Sequence, residues 1–204
     1  MNKNRLEAFS DGVLAIIITI MVLELRAPEE PTWSGLAAVL PTFLSYLLSF
    51  VYVGIYWNNH HHMIHLADSV NGSVLWANLH LLFWLSLFPF STRWMDESGF
   101  VEVPVLVYGI NLFCAAIAYF ILQQTLIRRQ GRDGALSRAI GRDWKGKASP
   151  LVYLAGIATA SVQPLLGLAL YTAVALIWLV PDRRVEHFVT QGVGARTAND
   201  AQGK

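Results

Sequence analysis

Charge is what this sequence has least of. Asp, Glu, Lys and Arg together make up 14% of its 204 residues, against about 25% in a soluble domain. Hydrophobic residues account for 54% and aromatics for 12%. That balance excludes an ordinary soluble domain. Apolar runs near 20 residues long with few charges inside have the length needed to cross a hydrocarbon core about 30 Å thick. Cysteine is almost missing: Cys114 stands alone within an apolar run, which excludes an intrachain disulfide framework. There is no strong net charge either. The formal value is +1, segregated by loop, so no pooled basic face points to nucleic acid. A cleaved leader is not expected, because the N-terminus has no small-residue cleavage site and acidic residues stand where an apolar segment would begin. The chain shows no internal repeat.

What is present is a series of apolar runs: Phe9–Leu25, Leu36–Trp57, Ser73–Phe90, Val101–Leu122, and a block from Ala148 to Val180. As one helix that block would be roughly 50 Å long, too long for a single span. Gln163-Pro164 divides it, since proline lacks a backbone N–H and disfavours helix at the residue before it. The fold class expected is an all-α membrane protein. Its six-helix unit occupies residues 1–188, with approximate spans 5–25, 36–57, 73–90, 101–122, 148–162 and 165–180, followed by a polar, disordered cytoplasmic tail over 189–204. Loop charge agrees with six spans. One side then holds Lys3, Arg5, Arg128, Arg129, Arg132, Arg138, Arg142, Lys145, Lys147, Arg183, Arg184, Arg196 and Lys204, and the other only Arg26 and Arg93. With five spans the last four basic residues would cross over. The positive-inside rule therefore puts both termini in the cytoplasm of a multi-pass protein of the inner (plasma) membrane, with the basic 123–147 connector able to meet anionic lipid.

The first run opens on Arg5-Leu6-Glu7-Ala8-Phe9-Ser10-Asp11 and continues without charge from Gly12 to Leu23. Charges at the mouth of a membrane helix are costly and persist mainly where they face protein or water. At about 100° per residue, Gly12, Ile16, Thr19, Ile20 and Leu23 share one stripe, which Phe9 extends toward the cytoplasm. Asp11 projects about 140° away from Ile16, together with Glu7, Leu14 and Ile18. The stripe is apolar with a single hydroxyl. Periodicity alone leaves two readings of it, a helix-packing face or the lining of a pore.

Arg-x-x-x-Phe-Ser-Asp, followed by Ala15-Ile16, Thr19 and Leu23-Glu24, resembles the first helix of the bacterial relatives of the endo-lysosomal potassium channel transmembrane protein 175. Trp57 with the histidines after it, Asn78-Leu79-His80 and Pro89-Phe90 extend the resemblance, which covers most of residues 5–180. It implies a homotetramer with helix one of each subunit around a central pore, conducting potassium passively as a leak-type channel with potassium as the permeant ion and no cofactor. By that pattern Ile16 forms the tightest hydrophobic ring, Ile20 and Leu23 form further gate rings outward, and Thr19 supplies a hydroxyl ring tied to potassium preference. The carbonyl-lined Thr-Val-Gly-Tyr-Gly filter of ordinary potassium channels is lacking in the family and in this chain. Glu24 would repeat around the extracellular mouth, where a carboxylate ring concentrates cations. The alternative for Glu24 is a surface pair with Arg26.

Arg5, Phe9, Ser10 and Asp11 lie within two turns and need partners, for which Asn78, His80 and the His60–His62 cluster are the candidates. That network would lock helix one, set its gate, or sense protons through Asp11. Two rival functions remain at this point. His61, His62 and His65 have helical spacing suited to a shared metal, as in a histidine-cluster membrane metalloenzyme. Such sites need several histidine boxes, and this chain has six histidines and no second box. A proton-linked small-solute transporter would show repeated halves and helices broken at mid-membrane, whereas Pro41 and Pro164 fall near span ends and Pro89 is expected to close span three. No catalytic residue and no metal ligand is expected. The partners implied are the chain itself, the bilayer and potassium ions.

Overall fold

A computed structural model describes residues 3–67, 69–131, 134–140 and 144–179. The expected tail over 189–204 lies outside the described residues, as do His187 and the basic residues Arg132, Arg142, Arg183, Arg184, Arg196 and Lys204. Every regular element among the described residues is a helix, with no strand: α1 (Lys3–Leu23), α2 (Trp33–Ala38), α3 (Leu40–His65), α4 (Gly72–Ser86), α5 (Phe88–Glu97), α6 (Glu102–Gln130), α7 (Ala135–Ile140), α8 (Trp144–Ala160) and α9 (Pro164–Leu179).

Among them, four stretches are long and apolar enough to cross a membrane: Lys3–Leu23, Leu40–His65, Gly72–Glu97 and Glu102–Gln130. α8 and α9 have 17 and 16 residues, roughly 25 Å each. They form an antiparallel pair joined at residues 161–163, and Lys145 Nζ reaches the carbonyl of Ile177 at 3.1 Å across it. The chain is thus an all-helical, multi-pass membrane protein.

Where helices start and stop follows local chemistry. The side chains of Thr32 and Asn71 each accept a backbone N–H from three residues on, at 3.1 Å, and so cap α2 and α4. Leu40, not Leu36, begins α3, because Pro41 suits a first turn, where its missing N–H is not needed. The same helix runs through His65 and not only to Trp57, since no glycine or proline interrupts residues 55–71. The histidines therefore sit on a helix, not in a loop. α6 likewise continues past Leu122 into the basic connector and stops at Gly131, whose φ of 84° favours glycine. The third span differs most. Pro89 does not close it. It lies in the first turn of α5, and the span bends at Leu87 and continues to Glu97.

The core sits between α3, α4, α6 and the α8–α9 pair. Gly109 on α6 and Gly156 on α8 admit the Tyr171 ring of α9, with which a Cβ at either position would collide. Small residues let helices approach closely where no hydrophobic drive separates them from lipid. Hydroxyls join the helices further. Ser49 Oγ lies 2.6 Å from Thr92 Oγ1 and 3.0 Å from Tyr108 OH, and Asn111 Nδ2 donates to Ser91 Oγ at 3.2 Å.

Candidate functional site

α1 has two unlike faces. One is packed against α3, α4 and α5 and buries Leu6, Ser10, Leu14, Ile17 and Met21, spaced by three or four residues as a single helical face requires. The opposite face carries Phe9, Gly12, Ile16, Thr19, Ile20 and Leu23, all of them exposed among the described residues. Ile16 is 60% and Leu23 76% exposed. Thr19 is the one hydroxyl on this face. Its Oγ1 donates to the carbonyl of Ala15 at 2.8 Å, so the proton is committed to the backbone and the oxygen's lone pairs remain for an outside donor or a cation.

The polar residues of α1 hold the helix in place from its other side. Asn78 on α4 stands at the centre, fully buried. Its Nδ2 donates to Ser10 Oγ at 2.9 Å, and its Oδ1 lies 2.7 Å from His60 Nε2. Ser10 Oγ donates in turn to the carbonyl of Leu6 at 2.9 Å. Because Asn78 Oδ1 can only accept, His60 must carry its proton on Nε2. The chain has one direction, from imidazole to amide to hydroxyl to backbone. Three α1–α3 contacts flank it. Trp57 Nε1 donates to Asp11 Oδ1 at 3.0 Å, His61 Nδ1 meets Glu7 Oε1 at 2.8 Å, and Lys3 Nζ donates to the carbonyl of His65 at 2.6 Å. Trp57, His61 and His65 stack along α3 with ring centroids 6.2 and 6.1 Å apart.

Three expected members of the network are placed elsewhere. Arg5 and Phe9 are exposed, on the side of α1 away from Asn78. His80 is a correction. Two residues on from Asn78, it points about 200° away around the helix, is exposed, and accepts from Trp84 Nε1 on its own helix at 3.0 Å. Trp57 as the partner of Asp11, and Lys3 as the donor from α1 to the end of α3, are contacts that the sequence did not assign. Trp57 had a signal, being the one indole on the α3 turn that precedes the histidines. At the C-terminal end of α1 Glu24 pairs with Arg93, Nη1 to Oε1 at 3.7 Å, and not with Arg26, which is exposed. The bend at Leu87 carries α5 alongside the end of α1. Among the described residues no three His, Cys, Asp or Glu side chains converge as a metal site requires.

Comparison with known proteins gives one consistent result. A family model described as the endosomal/lysosomal potassium channel TMEM175 matches residues 5–89. A potassium channel of Chryseobacterium sp. (strain P1-3) is 56% identical over 186 residues, covering 91% of this chain and 97% of the relative. One from Streptomyces collinus is 32% identical over 137 residues, covering 63% of this chain and 66% of the relative. The crystal structure of a lysosomal potassium-selective channel TMEM175 homologue from Chamaesiphon minutus superposes with a TM-score of 0.74 at 26% identity, covering 87% of this chain and 96% of that one.

Proposed function

The chain belongs to the TMEM175 potassium-channel family, and from that premise we propose that it is a passive, leak-type potassium channel whose pore is enclosed by α1 of four identical subunits. The family and its relatives are channels and not enzymes, so neither metal-dependent catalysis nor coupled transport is invoked. Each subunit spans the inner membrane six times, with α8 and α9 as the short fifth and sixth spans and both termini cytoplasmic. The observation that carries the reading is the uncovered face of α1. A helix clamped on its polar side and bare along Ile16, Thr19, Ile20 and Leu23 is supplied for contact with its own copies around an axis.

In that arrangement four Ile16 side chains form the narrowest apolar ring, with rings of Ile20 and Leu23 outside it. Apolar constrictions gate by dewetting, and weak-field oxygens select among cations by what dehydration costs. Thr19 presents such an oxygen because its proton is held by Ala15. Potassium gives up water more readily than sodium, so neutral hydroxyls and apolar walls favour it without a carbonyl cage.

The test is single-channel recording of the reconstituted protein under bi-ionic potassium and sodium conditions, with wild type and Ile16→Ala in parallel. Wild type carries potassium current without a coupled substrate. Ile16→Ala raises resting potassium flux about tenfold, as a barrier lowered by about 1.4 kcal/mol would. A wild type without potassium current refutes the channel reading, and an unaltered Ile16→Ala flux refutes Ile16 as the constriction.

A further inference from the structure

The charged residues at the outer end of α1 are arranged unequally. Around it the sequence places six carboxylates, Glu24, Glu29, Glu30, Asp96, Glu97 and Glu102, and two guanidiniums, Arg26 and Arg93. Of these two, Arg93 is the one that pairs with the helix end among the described residues. Its Nη1 is 3.7 Å from Glu24 Oε1, and its Nε donates to Glu97 Oε1 at 2.9 Å, one turn along α5. Glu24 is the more enclosed partner, its side chain 28% exposed. The pair also sits in the wall of a groove of about 570 Å³ lined by Ile20, Glu24, Phe90, Arg93, Trp94 and Glu97. Ile20 belongs to the uncovered stripe of α1, so the guanidinium and the stripe share one solvent-sized space.

We propose that Arg93 is a positioning residue for conduction: it draws the Glu24 carboxylate toward α5 and offsets its charge, and so limits how strongly cations are concentrated at the outer mouth. This rests on the reading that α1 of four subunits surrounds the pore. A pair at 3.7 Å with both partners partly in water adds little stability. Its effect on the ions is another matter, because charges at a narrow mouth act on every ion that enters and fourfold repetition multiplies them. Arg93 reaches Glu24 because it lies on α5, which starts at a proline-marked break in the third span and packs beside α1.

The experiment is unitary potassium conductance of the full-length protein in planar bilayers at 0.1 M and 1 M KCl, with the potassium-to-sodium permeability ratio measured alongside. Arg93→Gln removes four positive charges from the mouth and raises inward conductance about twofold to threefold at 0.1 M, where charges act over about 10 Å. The increase largely disappears at 1 M, where they act over about 3 Å. Glu24→Gln shifts conductance the opposite way at 0.1 M, the double variant moves back toward wild type, and Arg93→Lys keeps most of the wild-type value. The permeability ratio stays put in all of them, since the hydroxyl ring is untouched. If wild type conducts and Arg93→Gln matches it at 0.1 M, the proposal is wrong. It is equally wrong if the change persists undiminished at 1 M or if Arg93→Lys behaves like Arg93→Gln, because a displaced helix would do either. A wild type that carries no potassium current overturns the pore reading itself, and this assignment with it.

Discussion

Replacing Asn78 by leucine tests whether α1 is held by the polar chain or merely by apolar packing. Asn78 is fully buried, and leucine shares its branched outline with bulkier ends, so any overpacking adds to the loss worked out here. What is lost is hydrogen bonding on both sides. Ser10 loses an incoming donor but keeps its own bond to the Leu6 carbonyl, a mild loss. His60 loses more. Its Nε2–H would have no acceptor, and its Nδ1 already lacks a partner among the described residues. A buried donor left unpaired costs about 1–3 kcal/mol, whereas interhelical hydrogen bonds within bilayers average about 0.6 kcal/mol. The histidine falls under the first figure and the serine under the second, so about 2 kcal/mol is expected. That corresponds to roughly 4–8 °C for a chain of this size, read as the thermal midpoint of the purified protein in detergent. His80→Leu, on the same helix but outside the chain of bonds, is the control and should cost under about 0.5 kcal/mol. If Asn78→Leu melts with wild type, or His80→Leu costs as much, the chain of bonds does not hold α1.

Thr19→Val keeps the shape of the side chain and removes its oxygen, so the potassium-over-sodium permeability ratio from reversal potentials should fall about fivefold, equivalent to about 1 kcal/mol. An unaltered ratio removes Thr19 from selectivity. Gly109→Ala would drive its methyl group into the Tyr171 hydroxyl and should cost about 1–3 kcal/mol in a melting assay. Tyr171→Phe should recover part of that loss and no more, because it deletes a buried hydroxyl without a partner among the described residues but keeps the ring carbon that the added methyl also meets. A double variant no more stable than Gly109→Ala would contradict the close approach of α6 and α9.

The two faces of α1 are legible in the sequence because helical geometry alone separates Ile16 from Asp11, and Asp11 and Glu7 do meet α3. Asn78 could be nominated as a partner because a lone amide in an apolar run must be paired by something. Which neighbour pairs it depends on the register between two helices, and no local pattern encodes that. His80 shows the failure plainly: it is as polar as Asn78 and two residues away, yet two residues turn it to the opposite side. Arg93 was unreadable for another reason. A proline after an apolar run reads as the close of the third span, while a proline in a first turn opens a helix as readily as it ends one. Once α5 exists, the outer partner of Glu24 changes from Arg26 to Arg93.

The division of α1 into a clamped face and a bare face also separates what substitutions can do. Ser10, Asp11 and Glu7 touch only α3, α4 or the backbone of α1 itself, so changes there act through where the helix stands. They should move every ring on the bare face together and alter open probability more than ion preference. Ile16 and Thr19 lie exposed on the bare face, and the Thr19 hydroxyl is bonded within α1 itself, so changes there alter the surface an ion would meet while leaving the clamp intact. A substitution at Asp11 that changed the permeability ratio as strongly as Thr19→Val would mean that position and chemistry are not separable along this helix. The polar motif would then have to be counted as part of the conduction path and not as its support.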